Sequence, residues 1–172
     1  IVAIGDFEMA PAANTGLMID AGRSMNIQGD IGRALPLNSV TMAAGDFIAI
    51  GDPLNMMNSG VIRADGDIRF NPDGNSWLEN TGVSTVSVFA DNYEISSGTG
   101  NVAFGDMQAI STAGNLAINA GNRISVGDVN TAGNLDMTAA EIEIILRDNI
   151  QIWNSQGEFI SPRTAIIASG EI

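Results

Sequence analysis

The chain has 172 residues, of which 45% are apolar, 16% charged and 5% aromatic, and this is enough for one domain with a hydrophobic core. Twenty acidic residues stand against seven basic ones, giving a net charge of -13, so neither a nucleic-acid partner nor an anionic membrane surface is expected. Cysteine and histidine are both absent. Disulfides, thiolate nucleophiles and histidine-dependent sites are therefore excluded, and we expect a protein that is not an enzyme, needs no cofactor and acts through its shape and surface.

Short apolar runs separated by turn residues follow one another along the whole chain. The 20 glycines supply too much turn chemistry for a helical domain. The runs have three to five residues and place apolar side chains at every second position, which predicts short strands. They lie at 17–19, 40–42, 47–50, 68–70, 116–118 and 124–126. No apolar run is long enough to span a bilayer, so membrane insertion is not expected.

A small motif recurs along the chain and suggests a repeat: Asn or Ser, then Ser or Thr, and in most copies Gly, either directly or after one further residue. Each copy is followed by a strand, a turn, a second strand and, in several copies, a further turn. Three turns per repeat predict a three-sided unit. The stretch 96–110 makes one interval longer and predicts a loop or hairpin insertion there. We take the following residues as structural anchors: Asn14, Gly16, Asn58, Gly60, Asn80, Gly82, Gly114, Asn130, Gly133, Asn154 and Gly157.

A unit of about 20 residues cannot bury its apolar face alone, so the units must stack. The sequence therefore predicts an all-β protein, a parallel β-solenoid of about seven coils with three short strands in each, forming a single domain over 1–172. Glycines at the corners would supply positive φ angles, and the repeated asparagines would form internal ladders from coil to coil. An antiparallel β-sandwich of short strands is the alternative.

Two segments carry a resemblance to a known family. Residues 112–124 read TAGNLAINAGNRI and residues 131–140 read TAGNLDMTAA, and they resemble the shaft repeats of filamentous haemagglutinin and related two-partner-secretion adhesins. The resemblance is best over 110–172. It implies a right-handed parallel β-helix exported to the bacterial surface, and hence an extracellular or cell-surface protein that serves as an adhesive or spacer element, with a host or surface glycan as a receptor.

Both ends of the chain read as strands, at 1–7 and 165–172, and neither carries a polar capping helix. An uncapped solenoid presents unpaired backbone groups that can accept another chain. We therefore expect either head-to-tail association with further copies or continuation into a longer shaft. The residues expected at these assembly ends are Ile1, Val2, Ile4, Ile166, Ile167 and Ile172.

Gly-Asp turns suggest one candidate cation site. If the coils are in register, Asp30, Asp52 and Asp128 lie near one corner, and Asp46 and Asp67 lie near another. A column of carboxylates repels itself, and a Ca²⁺ ion with oxygen ligands would relieve the repulsion. The simpler reading is that aspartate here forms solvated turns.

Carbohydrate binding or cleavage is the alternative function. Two pairs of carboxylates, Asp65 with Asp67 and Glu141 with Glu143, have the spacing that places both side chains on one face of a strand. An exposed aromatic face would also be needed, and Trp77 and Trp153 are the candidates. A solvated acidic face explains the same carboxylates without any function.

Overall fold

The computed structural model describes residues 2–3, 15–45, 47–51, 54, 59–70, 85–104, 109–144, 152–153, 159–160 and 166–168. Within these residues all regular secondary structure is β. The strands are, in chain order, β1 (Val2–Ala3), β2 (Gly16–Ala21), β3 (Ser24–Ile27), β4 (Ser39–Ala44), β5 (Phe47–Gly51), β6 (Gly60–Ala64), β7 (Ile68–Phe70), β8 (Thr85–Phe89), β9 (Asn92–Ser97), β10 (Val102–Phe104), β11 (Ala109–Thr112), β12 (Asn115–Ala120), β13 (Arg123–Val126), β14 (Asp128–Thr131), β15 (Leu135–Thr138), β16 (Glu141–Ile144), β17 (Ile152–Trp153), β18 (Phe159–Ile160) and β19 (Ile166–Ala168).

The strands form three parallel sheets. The first sheet has the order β1-β3-β5-β8-β11-β14-β19, the second β2-β4-β7-β10-β13-β16, and the third β6-β9-β12-β15. Only the short pair β17 and β18 is antiparallel among the described strands. The predicted all-β class and the predicted parallel pairing are confirmed. An antiparallel sandwich, the alternative, does not agree with these pairings.

The chain visits the three sheets in rotation. β8, β9 and β10 lie in the first, third and second sheets, and β11 to β13 and β14 to β16 repeat that order. We call one passage of the chain through the three sheets a round. Each strand pairs with the equivalent strand of the next round, so Asn92 lies opposite Asn115 and Leu116 opposite Leu135. The step is similar early in the chain, where Ser24 lies opposite Phe47, and longer in the middle, where Phe47 lies opposite Thr85.

The predicted insertion at 96–110 is wrong for the described part of that stretch. Residues 96–97 end β9, β10 follows at 102–104, and β11 begins at 109, each in register with its neighbours. The glycine-rich residues 98–100 make the turn between β9 and β10. The three pairing steps that span 71–84, from β5 to β8, from β6 to β9 and from β7 to β10, are among the longest, and residues 71–84 lie outside the described residues.

Inward-facing side chains form continuous apolar columns because successive side chains of a strand point to opposite faces. In the second sheet, Ile68, Val102 and Ile124 are opposite one another and fully buried. In the next inward column, the rings of Phe70 and Phe104 stack with their centroids 4.6 Å apart. β-branched and aromatic residues fit this half-buried, pleated surface, which explains why these short runs become strands.

The third sheet begins with an outward bulge. Single bridges join Ile31 to Ile62 and Leu37 to Ala64, so the six-residue step from 31 to 37 spans only two residues of β6. The additional residues, 33–36, are exposed. Gly32 has a φ of 66°, a left-handed conformation that glycine adopts without a steric cost.

Candidate functional site

Asparagine side chains link neighbouring strands at the corner where the chain enters the third sheet. The Nδ2 of Asn115 donates a hydrogen bond to Oδ1 of Asn92 at 2.7 Å. The backbone N–H of Asn134 donates to Oδ1 of Asn115 at 2.8 Å. We call Asn92, Asn115 and Asn134 the amide ladder. Asparagines thus do link neighbouring strands, but the prediction of internal ladders formed by the repeated asparagines is wrong for this one, because its three members are exposed and none is a predicted anchor.

A second polar ladder lies where the chain enters the second sheet. Oδ1 of Asp67 accepts hydrogen bonds from the backbone N–H and the side-chain Nδ2 of Asn101, at 2.9 and 3.0 Å. Asn122 in turn donates to Asn101 at 2.8 Å. The backbone N–H of Asn101, together with Arg69, lowers the pKa of Asp67 although partial burial opposes the shift. The carboxylate of Asp67 is therefore held as an anion between two strands.

Some anchor glycines are required by close approach between strands rather than by φ. A Cβ atom added at Gly114 would collide with the backbone of Asp91, and one added at Gly133 would collide with the side-chain oxygen of Asn115. Among the described glycines, positive φ angles occur at Gly32 and Gly51, neither of which is a predicted anchor. The expectation that corner glycines serve a positive φ is wrong for Gly114 and Gly133, because what they lack is room for a side chain.

The anchor motif does not mark one corner of the fold. Gly16 opens β2 in the second sheet, whereas Gly60 opens β6 in the third. Gly114 and Gly133 also precede strands of the third sheet, and Asn130 is an exposed residue of β14. A single repeat built on this motif is therefore wrong, because the same turn chemistry is used at different corners. The remaining anchors, Asn14, Asn58, Asn80, Gly82, Asn154 and Gly157, lie outside the described residues.

The residues predicted at the assembly ends belong to the first sheet where they are described. Val2 lies in β1, and Ile166 and Ile167 lie in β19. β1 and β19 occupy the two opposite ends of the sheet. The others, Ile1, Ile4 and Ile172, lie outside the described residues.

The aspartates of the predicted cation site do not share a corner. Asp30 lies between β3 in the first sheet and the bridge of Ile31 to the third sheet, whereas Asp128 opens β14 in the first sheet. Asp52, like Asp46, lies outside the described residues. The grouping of Asp30 with Asp128 is wrong. A Gly-Asp pair indicates a turn, but it does not indicate which two sheets that turn connects.

Asp30 instead contacts residues of the bulge and of β6. Its carboxylate accepts the backbone N–H of Val61 at 2.9 Å and pairs with Arg33, and the residue is only 8% exposed. In the described part of the chain, no three acidic residues lie close enough together to hold a metal ion. The physical role we assign to Asp30 is to attach the bulge to β6.

The two predicted carboxylate pairs differ in their surroundings. Asp65 and Asp67 lie in the turn between β6 and β7 rather than on a strand, so the predicted strand geometry is wrong for this pair. Glu141 and Glu143 do lie on one face of β16, as predicted, and both contact Arg123, with N–O distances of 3.7 and 2.5 Å. The aromatic candidate Trp77 lies outside the described residues. Only the backbone of Trp153, in β17, is described.

A groove of about 460 Å³ runs along the outer face of the third sheet. One wall is formed by the amide ladder together with Ser59, the residue just before β6. The other wall is the outward column that contains Glu94, Ala117 and Asp136. Between these walls lie residues whose side chains face inward, and Arg33 and Arg63 lie at one end. The lining residues are Arg33, Ser59, Gly60, Val61, Arg63, Asn92, Tyr93, Glu94, Asn115, Leu116, Ala117, Asn134 and Asp136.

Sequence reasoning missed this groove because its residues are far apart in the chain. Asn92, Asn115 and Asn134 are separated by 23 and 19 residues, and unequal steps of this kind give no simple periodic signal. The guanidinium of Arg63 contacts Glu94 at 3.0 Å, and both side chains are more than a third exposed. The groove thus combines neutral amides, a partly exposed ion pair and backbone.

Comparison with protein-family models, curated proteins and solved structures gives no match to the chain. The described residues also contain no helix of the length and apolarity needed to cross a membrane.

Proposed function

We propose that the chain is a three-sided parallel β-solenoid with a mechanical role, as the shaft or a subunit of an extracellular filament or surface adhesin. The observation that carries the proposal is the pairing of each strand with the equivalent strand of the next round, in all three sheets. A single round would expose its apolar residues, whereas stacked rounds bury a continuous core. A structure built by such repetition is suited to spanning distance.

Open strand edges favour growth by further stacking. Among the described strands, β1 pairs only with β3 and β19 only with β14. An unpaired edge offers backbone N–H and C=O groups to another strand. Since contacts of this kind are not closed by symmetry, repeated addition produces a fibre. The added strands would come from further copies of the chain or from a longer shaft. Host or surface glycans remain the proposed receptors.

The charge of the chain gives this proposal a measurable signature. With a net charge of -13, copies repel each other at low ionic strength, and added salt screens that repulsion. Association should therefore increase with salt concentration. A chelator should have no effect, since the described carboxylate of the predicted cation site, Asp30, is already engaged by Val61 and Arg33.

Electron microscopy of the purified chain at rising concentration tests the proposal. We expect unbranched fibres one chain wide, more of them at high salt, and fibre diffraction with a spacing of about 4.8 Å along the axis. Parallel samples with a Ca²⁺ chelator should look the same. If discrete particles of 17.9 kDa persist at every concentration and salt condition, assembly from copies of this chain is excluded. Loss of fibres on chelation would instead favour a cation between copies.

A further inference from the structure

We propose that the groove on the third sheet binds an extended, uncharged glycan whose long axis runs along the stack of strands. This inference does not depend on the proposed end-to-end assembly, because every residue it uses lies within the described part of a single chain. The groove's direction, charge and hydrogen-bonding groups all favour this class of ligand.

The groove crosses the strands rather than following one of them. Its amide wall takes one residue from each of β9 and β12 and one that immediately precedes β15. With neighbouring strands about 4.8 Å apart, the four positions from Ser59 to Asn134 extend over roughly 14 Å. A chain-like ligand lying in this groove meets a similar polar group at each strand, at a spacing close to the length of one extended sugar unit.

The charge of the lining residues argues against a highly charged ligand. Arg33 and Arg63 are balanced by Glu94 and Asp136, so the groove carries both signs in equal number. A polyanion would also meet the negative field of a chain with net charge -13. A polycation would have to displace the contact between Arg63 and Glu94.

The floor of the groove argues against an apolar or peptide ligand. None of the large apolar side chains that are exposed in the described residues lines it. The groove lies on the face of the sheet, where backbone groups of β9 and β12 already pair with neighbouring strands on both sides. A peptide strand added over β9 or β12 would therefore find no unpaired edge to extend.

With charged, apolar and peptide ligands disfavoured, a ligand rich in hydroxyl groups fits the groove best. A sugar hydroxyl both donates and accepts, an asparagine amide does the same, and a guanidinium beside a carboxylate offers donors and acceptors together. Tyr93 is only 2% exposed, so the groove offers no aromatic platform for stacking. Recognition by hydrogen bonds alone, in competition with water, predicts weak binding, with a Kd on the order of millimolar.

Titration of the ¹⁵N-labelled chain with cellohexaose, followed by NMR, tests the inference. We expect saturable shifts in the side-chain amide signals of Asn92, Asn115 and Asn134. The variant Ala117→Ile fills the groove with a residue that suits a strand and should weaken binding at least fivefold. The matched control is Ala103→Ile, at an outward position of β10 in the second sheet, and it should bind like the unmodified chain.

Three results would overturn the inference. The first is the absence of saturable shifts with either cellohexaose or maltohexaose at roughly 10 mM. The second is binding of hexagalacturonate without binding of either neutral sugar, which would assign the site to anion recognition by the arginines. The third is equal weakening by Ala117→Ile and Ala103→Ile, since binding would then not involve the groove. Fibre formation is scored separately, so either proposal can fail while the other stands.

Discussion

The interior and the corners of this molecule are held together by different physics. The interior columns consist of apolar side chains that contact each other with little directional preference, so they supply most of the stability. The corner ladders are made of hydrogen bonds between specific atoms, such as Asn115 with Asn92 and Asn101 with Asp67. Each such bond contributes little net free energy, but it is satisfied in one register only. The comparison indicates that the core stabilises the stack and the corners fix its alignment.

The largest effect is expected in the core, at Phe104. Replacing it by alanine removes the stacking partner of Phe70 and leaves a cavity among fully buried residues. We expect the variant Phe104→Ala to lower the free energy of unfolding by about 3–5 kcal/mol, measured by urea denaturation. The control Phe47→Ala removes the same side chain from a position that is 44% exposed and should cost clearly less. Equal losses would contradict the division between core and surface.

A smaller loss of stability, caused by a steric clash, is expected at Gly114. Alanine there would collide with the backbone of Asp91, in the turn just before β9, and we expect Gly114→Ala to cost about 1–3 kcal/mol in unfolding free energy. The matched control is Gly22→Ala, where an added Cβ meets open space and the change should stay within about 0.5 kcal/mol. Thermal unfolding of the two variants side by side measures the difference. A neutral Gly114→Ala would mean that neighbouring strands are not closely packed at this corner.

The amide ladder provides the third test. Asn115→Ala removes the donor to Asn92 and the acceptor of Asn134, and we expect a loss of about 1 kcal/mol in unfolding free energy. Asn130→Ala, at an exposed position of β14, is the control and should stay within about 0.5 kcal/mol. Hydrogen exchange of the Asn134 backbone amide gives a local measurement. Unchanged exchange in Asn115→Ala would show that the ladder does not protect this corner.

The smallest effect concerns pH. Hydrogen bonding to Asn101 and contact with Arg69 lower the pKa of Asp67 below its ordinary value of 3.8. A carboxyl with a lowered pKa in the folded state stabilises the fold above its unfolded pKa and loses that contribution as the pH falls. Asp67→Asn keeps an acceptor oxygen but lacks the charge. The difference in unfolding free energy between the two chains should therefore be constant near neutral pH and shrink below about pH 3.8.

A pH titration of urea unfolding from 7 to 2 measures this difference. The sign is the informative part, since a difference that grows on acidification would mean that the charge of Asp67 destabilises the folded chain.

The fold class could be predicted from sequence because it depends on local pattern. Alternation in 116–118 and 124–126 identifies strands that are present in the structure as β12 and β13. The register could not be predicted. Asn-Ser-Gly or Asn-Thr-Gly makes a tight turn at any corner, so Gly16 and Gly60 look equivalent in sequence although they open strands of different sheets.

The candidate groove could not be predicted for the same reason. Its walls exist only once Asn92, Asn115 and Asn134 are aligned, and that alignment depends on how many residues each corner contains. This number varies from round to round. Ile68 lies opposite Val102, 34 residues further along the chain, whereas Ile124 lies opposite Ile142, only 18 residues further along. Strand pairing determines which side chains lie opposite each other, whereas the sequence shows only how many residues separate them along the chain.

The bulge between Ile31 and Leu37 has a practical consequence. Its two bridges hold the backbone of β6 on both sides, with Ile31 accepting from Arg63 at 2.9 Å and Leu37 accepting from Asp65 at 2.7 Å. The exposed residues between them leave and rejoin the sheet without breaking its pairing. Extra residues in a surface loop cost only a small, slowly rising closure entropy. A foreign peptide grafted at Ala34 would thus be displayed on the outer side of the third sheet, away from the buried core.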